Sequence, residues 1–233
     1  MTDLKSSNKS LEKFRKNASE ASHGQSSQKI LQEILTLTQS LQLQKNPRIL
    51  DIGCGTGSLI KTLKEKIIDG EFHGCDYTNF TKNTEFNFFQ QDCNLDFAES
   101  IGQFDLIISS EVIEHLENAR HFLREICKRL NPNSHVILST PNIESFTSII
   151  SFILRGYHSA FAPVCYPAHI NSYNAFELTN ICCEAGLKIE QIFYIKNGRI
   201  PGSKIPWHTL LPFLSGKRFS DNFIIVASNH TFT

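Results

Sequence analysis

The stretch RILDIGCGTGSL, residues 48–59, is an apolar run that enters a glycine turn and leaves it as a helix. Ile49, Leu50 and Ile52 have the character of a buried parallel strand, and Gly53, Gly55 and Gly57 follow at alternate positions. Glycines so spaced let the main chain turn sharply and let a ligand lie against it. The helix expected from about Ser58 through Lys66 points its unpaired N–H groups at that ligand, a setting for a carboxylate or a phosphate. The spacing discriminates between ligand classes. Dinucleotide enzymes carry G-x-G-x-x-G, whereas here the order is Asp51-x-Gly53-x-Gly55-x-Gly57. Asp51 is placed to hold an amino group through a charge-assisted or water-bridged hydrogen bond, so a ligand bearing both an ammonium and a carboxylate is implied.

This strand, turn and helix resemble motif I of the class I S-adenosylmethionine-dependent methyltransferases, whose cofactor ends in a methionine moiety with those two groups. The resemblance runs from Asn46 to the C-terminus. It implies an α/β, Rossmann-like fold: a seven-stranded, mostly parallel sheet in the order 3-2-1-4-5-7-6 with an antiparallel last strand. It also implies S-adenosyl-L-methionine as cofactor. Residues 71–77, 86–92, 104–110, 134–142, 187–197 and 222–228 read as the remaining strands, and 175–185 as the last helix. On this reading Asp51, Gly53, Cys54, Gly55 and Gly57 surround the methionine end. Asp76, about 20 residues beyond the glycines, accepts the ribose hydroxyls, with Tyr77 beside it. Asp92 and Cys93 leave strand three at the adenine, although an aspartate there also suits a plain Asx turn. Ser110 ends strand four on the cofactor.

A chain of 233 residues supports one α/β domain with a sizeable core. Its 23 Lys and Arg balance 23 Asp and Glu, so no global basic field argues for a nucleic-acid partner. Seven cysteines with no Cys-x-x-Cys pair, and a polar N-terminus lacking the apolar core of a secretory signal, favour reduced thiols and a cytoplasmic location. The apolar patch at 146–154 is broken by Thr147, Ser148 and Ser151 and falls far short of the ~20 residues that span a bilayer. Residues 1–27, rich in Ser, Lys and Asn, read as a mobile segment. Over 28–45, Ile30, Ile34, Leu37 and Leu41 keep helical spacing until Asn46-Pro47, which suggests a helix lying on the methyltransferase domain of 46–233. In the family such a segment often folds over the cofactor; a plain packing helix is the alternative.

After strand four, Glu111, Glu114 and His115 stand at i, i+3 and i+4 of an expected helix, on one face. The triplet resembles the Glu-x-x-Glu-His that holds magnesium in part of the family, including ubiquinone-pathway O-methyltransferases and small-RNA 2′-O-methyltransferases. His169 corresponds to the later histidine that completes the site in the RNA enzymes. A divalent metal such as Mg on Glu111, Glu114, His115 and His169 is one reading, with two imidazoles pulling the preference toward zinc, manganese or iron. A catalytic site in which His115 or His169 is the base, with Glu111 on the same face, is the second. Pure alignment of acceptor and methyl group is the third.

Two insertions, 143–174 and 198–221, exceed what a crossover needs and read as acceptor-side covers. In the first, Phe146, Ile149, Ile150 and Ile153 form a helical stripe with Phe152 outside it, suited to an apolar acceptor, a membrane surface or the core. The second carries the only tryptophan, Trp207. The resulting expectation is a methyltransferase acting on an oxygen of a small-molecule, glycan or lipid-linked acceptor, with no nucleic-acid substrate and with room for peripheral membrane contact. Ser109-Ser110-Glu111 stands where amino-methylating enzymes carry Asn/Asp-Pro-Pro-Tyr. A noncatalytic cofactor-binding subunit and a nucleotide-cofactor oxidoreductase are the rivals, and the latter lacks its glycine spacing.

Overall fold

The computed structural model describes residues 13–17, 27–67, 69–81 and 85–229. The expectation of a mobile N-terminus falls mostly on 1–12 and 18–26, outside the described residues; 13–17 are helical. The strands are β1 (Arg48–Ile52), β2 (Glu71–Asp76), β3 (Asn87–Gln90), β4 (Phe104–Ser110), β5 (Leu130–Pro141), β6 (Lys188–Tyr194) and β7 (Asn222–Ser228). They form one sheet in the order β3-β2-β1-β4-β5-β7-β6. Strand β7 runs antiparallel to β5 and β6, and the other pairings are parallel, as the resemblance implies.

The helices are α1 (Gln28–Ser40), α2 (Ser58–Lys64), α3 (Ala119–Lys128), α4 (Phe146–Arg155), α5 (Ala175–Glu184) and α6 (Trp207–Leu210). Successive strand residues point to opposite faces, and in the inner strands β1, β4 and β7 both faces are covered, so these are buried along almost their whole length. Ile49, Leu106, Ile108 and Ile224 pack with Ile30, Ile34 and Leu37 of α1 and Leu59, Ile60 and Leu63 of α2. Leu50, Ile107, Leu138 and Ile225 pack with Phe122 and Ile126 of α3 and Leu178 and Ile181 of α5. Burying each such side chain is worth about 1.5–3 kcal/mol, enough to hold α1 on the sheet by its predicted stripe. Its start is set by Ser27, whose hydroxyl accepts the Ile30 N–H at 3.3 Å.

Two local expectations fail. The fifth strand does not wait for residue 134: α3 ends at Lys128, and Asn131-Pro132-Asn133 is the kinked first part of β5. Leu130 pairs with Phe104, the register then shifts before Leu106 meets His135, and Asn133 has φ 58°. A proline without an N–H belongs at such an irregularity. Nor does 111–115 open a helix. Glu111 has φ 58°, a 3-10 turn covers Ile113–His115, and α3 begins only at Ala119. The cause is β5: the Glu111 N–H donates to the carbonyl and the hydroxyl of Ser139, both at 3.1 Å, so residue 111 stays on the sheet while the chain turns away.

The helix expected in the first insertion forms, with Ser145 capping one end and Gly156 at φ 80° the other. Its apolar stripe is not core. Ser148 and Ser151 are its buried residues, while Phe146, Ile150 and Ile153 of the stripe are 37, 37 and 72% exposed. Among the described residues, no helix is long and apolar enough to cross a membrane. All seven cysteines are unbridged.

Candidate active site

At the carboxyl end of β1, Gly53, Gly55 and Gly57 adopt φ 73°, 50° and 79°, values that side-chain-bearing residues adopt with strain. Gly53 is required twice over, since a Cβ there would lie 2.3 Å from Val112 Cγ2. The turn is clamped on β2: the Gly53 and Cys54 N–H groups donate to the Cys75 carbonyl at 2.8 and 3.1 Å, and the Gly55 N–H donates to Asp76 Oδ2 at 2.9 Å. Asp76 Oδ1 accepts the Thr78 N–H at 3.2 Å. Burial, and secondly the charge of Asp76, pushes the Asp51 carboxyl well above the usual carboxylate range. Two such neighbours create a place that a bound cation relieves.

From this turn a cavity of about 820 Å³ extends across the carboxyl ends of the strands. Of the predicted cofactor residues, Gly53, Asp76, Tyr77, Asp92, Cys93 and Ser110 line it. Asp51 and Cys54 line a small cleft that shares Gly53 and Ser110 with it. Gly55 and Gly57 shape the turn and line neither. Asp92 is already engaged. Its Oδ1 accepts the Asn94 N–H at 2.9 Å and Asn94 Nδ2 at 3.1 Å, the Asx turn, while Oδ2 accepts Arg15 Nη1 at 2.8 Å. Arg15 Nε also donates to Glu117 at 2.9 Å. With Arg15 and Asp92 side chains 16 and 14% exposed, this pair closes one rim of the cavity with a residue from the N-terminal segment.

At the opposite end, Glu111 Oε1 accepts from Ser139 Oγ at 3.1 Å and Oε2 from Asn222 Nδ2 at 2.8 Å. Burial, then the charge of Glu114, raises the Glu111 carboxyl well above its ordinary value. Glu114 is fully buried; Oε2 accepts from Thr140 Oγ1 at 3.1 Å, while Oε1 has no hydrogen-bond partner among the described residues. Burial pushes its carboxyl up to about 8. The Glu114 carbonyl accepts the Ile170 and Asn171 N–H groups, both at 3.0 Å, and so ties the first insertion to the turn after β4.

That tie brings two imidazoles together, with ring centroids 4.9 Å apart. His115 Nδ1 donates to the Ala168 carbonyl at 2.7 Å and His169 Nδ1 to the Ala160 carbonyl at 2.6 Å. A carbonyl only accepts, so each Nδ1 carries its hydrogen. Burial lowers the basicity of both rings, and in His169 the neighbouring His115 lowers it further. A second carbonyl, that of Glu111, lies against His115, whereas among the described residues the backbone acceptor acting on His169 is Ala160. Neutral His169 therefore keeps a lone pair on Nε2. Glu114, His115 and His169 present ligand atoms within 4.8 Å of one another. Glu111, the fourth residue of the predicted metal set, is not among them, because Ser139 and Asn222 hold its carboxylate.

Both insertions reach the cavity, the first through Val164, Cys165, Tyr166, Ala168 and His169, the second through Arg199, Lys204, Pro206 and Asp221. Arg15, Asn94, Asn197 and Asn222 also line it and carry no motif that a sequence reading detects. For Asn222 the one available signal is its place at the start of the antiparallel strand, paired with Pro141 at the end of β5.

A family model described as a methyltransferase domain matches residues 22–192. The ubiquinone biosynthesis O-methyltransferase of Rickettsia canadensis is 24% identical over 156 residues, covering 62% of this chain and 64% of that protein. The ubiquinone biosynthesis O-methyltransferase of Azorhizobium caulinodans is 30% identical over 135 residues, 50% of this chain and 51% of that one. The chain thus spans between half and two thirds of the length of these relatives. The crystal structure of an S-adenosylmethionine-dependent methyltransferase from Mesorhizobium loti has the same fold, with TM-score 0.56 at 17% identity, over 83% of this chain and 95% of that one.

Proposed function

Because this chain belongs to the family of S-adenosylmethionine-dependent methyltransferases, we propose that it transfers a methyl group to a hydroxyl oxygen of a small-molecule, glycan or lipid-linked acceptor. The residues present fit the cofactor: the glycine turn leaves bare main chain, and the buried carboxyls of Asp51 and Asp76 favour a cationic ligand. When bound, S-adenosylmethionine supplies an electrophilic methyl group on a positively charged sulfur. Asp51 would hold the ammonium of its methionine end. Asp76 would accept from the ribose hydroxyls, and Cys93 would lie toward the adenine.

The observation that carries oxygen methylation is the neutral His169, anchored through Nδ1 at 2.6 Å with Nε2 left as a base. Its Nε2 would take the proton of the acceptor hydroxyl, a contribution of about 10²–10⁴ in rate. The naming of relatives for O-methylation supports the choice of oxygen. A second reading rests on the partnerless Glu114 Oε1 beside two imidazoles. Glu114, His115 and His169 would hold a divalent ion there, and one oxygen with two nitrogens suits zinc, manganese or iron better than magnesium. Such an ion supplies Lewis acidity at the acceptor oxygen.

Labelled S-adenosylmethionine offered with extracted quinols, sugars and lipids tests both. The expected product is a methyl ether that forms equally well in EDTA. Label on nitrogen or carbon, or binding of S-adenosylhomocysteine without any turnover, overturns the oxygen reading. Loss of turnover in EDTA with recovery on zinc or manganese selects the metal reading over the base.

A further inference from the structure

The second insertion reaches the cavity through a hairpin. The Ile200 N–H donates to the Ile205 carbonyl at 2.9 Å, the Trp207 N–H donates to the Gly198 carbonyl at 3.0 Å, and Arg199 bridges to Pro206 in antiparallel register. Its tip is fixed by Ser203, whose N–H and hydroxyl both donate to the Ile200 carbonyl at 3.0 Å, and by Gly202 at φ 76°. Side chains alternate along paired strands, so Arg199, Lys204 and Pro206 share one face. That face lines the cavity, and Ile200 and Ile205 do not. The base of the hairpin is anchored: Trp207 packs on Phe146 and Phe219 with ring centroids 6.4 and 5.6 Å apart, and Thr147 Oγ1 donates to the Arg199 carbonyl at 2.6 Å.

This face carries more donors than the protein uses. Arg199 Nε donates to Asp221 Oδ2 at 2.7 Å, while its Nη groups make no hydrogen bond among the described residues. Lys204 has no ion pair among the described residues. The carboxyls at this end are already engaged, Glu111 by Ser139 and Asn222 and Asp221 by Arg199. Two cations therefore face one carboxylate, an excess that suits a ligand anion. Charge-assisted hydrogen bonds from a guanidinium and an ammonium are the strong ones for carboxylate and phosphate oxygens. Beside them Asp221 Oδ1 is buried and accepts no hydrogen bond among the described residues, a costly state that a ligand hydroxyl relieves.

We propose that Arg199 and Lys204 bind an anionic group of the acceptor while Asp221 Oδ1 accepts from an adjacent hydroxyl, so that the methylated molecule is a hydroxy acid bearing a carboxylate or a phosphate. A neutral sugar or lipid leaves both cations and the buried oxygen unmatched. The role of this anion in an acceptor rests on the proposed function; its binding does not.

The test is calorimetry on the full chain saturated with S-adenosylhomocysteine, which fills the cofactor end, titrated with D-glucuronate, inorganic phosphate and glucose. At least one of the two anions should bind saturably, and glucose at least about tenfold more weakly. Glucuronate alone selects the carboxylate, phosphate alone the phosphate ester. Lys204→Gln and Arg199→Gln should each weaken the bound anion at least about tenfold, with S-adenosylhomocysteine affinity unchanged as the report on folding. Binding of neither anion, glucose bound as tightly as the anions, or anion binding that survives both substitutions overturns the proposal. In the labelled-cofactor screen Lys204→Gln should raise KM for an acidic acceptor at least about tenfold and leave kcat within about twofold. Methylation of neutral acceptors alone, with KM unchanged in Lys204→Gln, overturns the proposal and leaves methyl transfer standing. Anion binding without turnover of any acceptor leaves the anion site standing and overturns the transfer reading.

Discussion

The two ends of the cavity are made of different material. At the cofactor end the main chain carries the geometry: three glycines at positive φ and N–H groups of Gly53, Cys54 and Gly55 bonded across to β2. At the acceptor end side chains carry it, and they come from distant parts of the chain. Glu111 and Glu114 follow β4, His169 comes from the first insertion, and Asn222 comes from β7. Main-chain geometry over ten residues is rigid by construction, whereas the second end exists only once the sheet is closed and the 168–171 segment is tied to Glu114 and His115. The contrast explains how one end can serve a fixed cofactor while the other is free to specialise.

Breaking the first end should give the largest effect. Gly55→Val forces a branched residue to φ 50°, so S-adenosylhomocysteine should lose at least about a hundredfold in affinity and its thermal stabilisation of the protein should vanish. An unchanged melting shift would make the turn a packing feature. The second end should fail separately. His169→Ala should lower kcat by about 10²–10⁴ while S-adenosylhomocysteine affinity, read by calorimetry, stays within about twofold. The pH dependence has a definite sign: the base works unprotonated and burial lowers its basicity, so kcat should rise with pH through a value below the ordinary ~6.5 and then level off. A limb above pH 7, or one that survives in His169→Ala, would assign the titration to another group. The smallest effect sharpens the border between the two ends. Arg15→Ala removes a part-buried pair with Asp92 worth about 1 kcal/mol, so cofactor affinity should fall about fivefold with kcat at saturation unchanged. No change would make Arg15 a surface contact.

The glycine turn and α1 were legible because each is written in contiguous residues, whereas the strand order was legible only through the family resemblance. The stripe of Ile30, Ile34 and Leu37 needs only helical periodicity. The helix expected at 111–115 was not correctly legible, since its spacing suits a helix and the competing bonds to Ser139 lie 28 positions away. For α4 the helix was readable but the face it buries was not decided: apolar side chains usually face the core, and here Ser148 and Ser151 find hydrogen bonds inside.

Residues 48–59 dictate strand, turn and helix unaided, because the sign of φ at a glycine and the alternation of Ile49, Leu50 and Ile52 depend on nearest neighbours. Arg15 reaches Asp92 across 77 positions and His115 reaches Ala168 across 53. Contacts of that span are chosen by which faces pack when the chain closes, and no local spacing encodes them. The tertiary structure alone therefore places His169 beside His115, takes Glu111 out of the cluster and turns the serines of α4 inward.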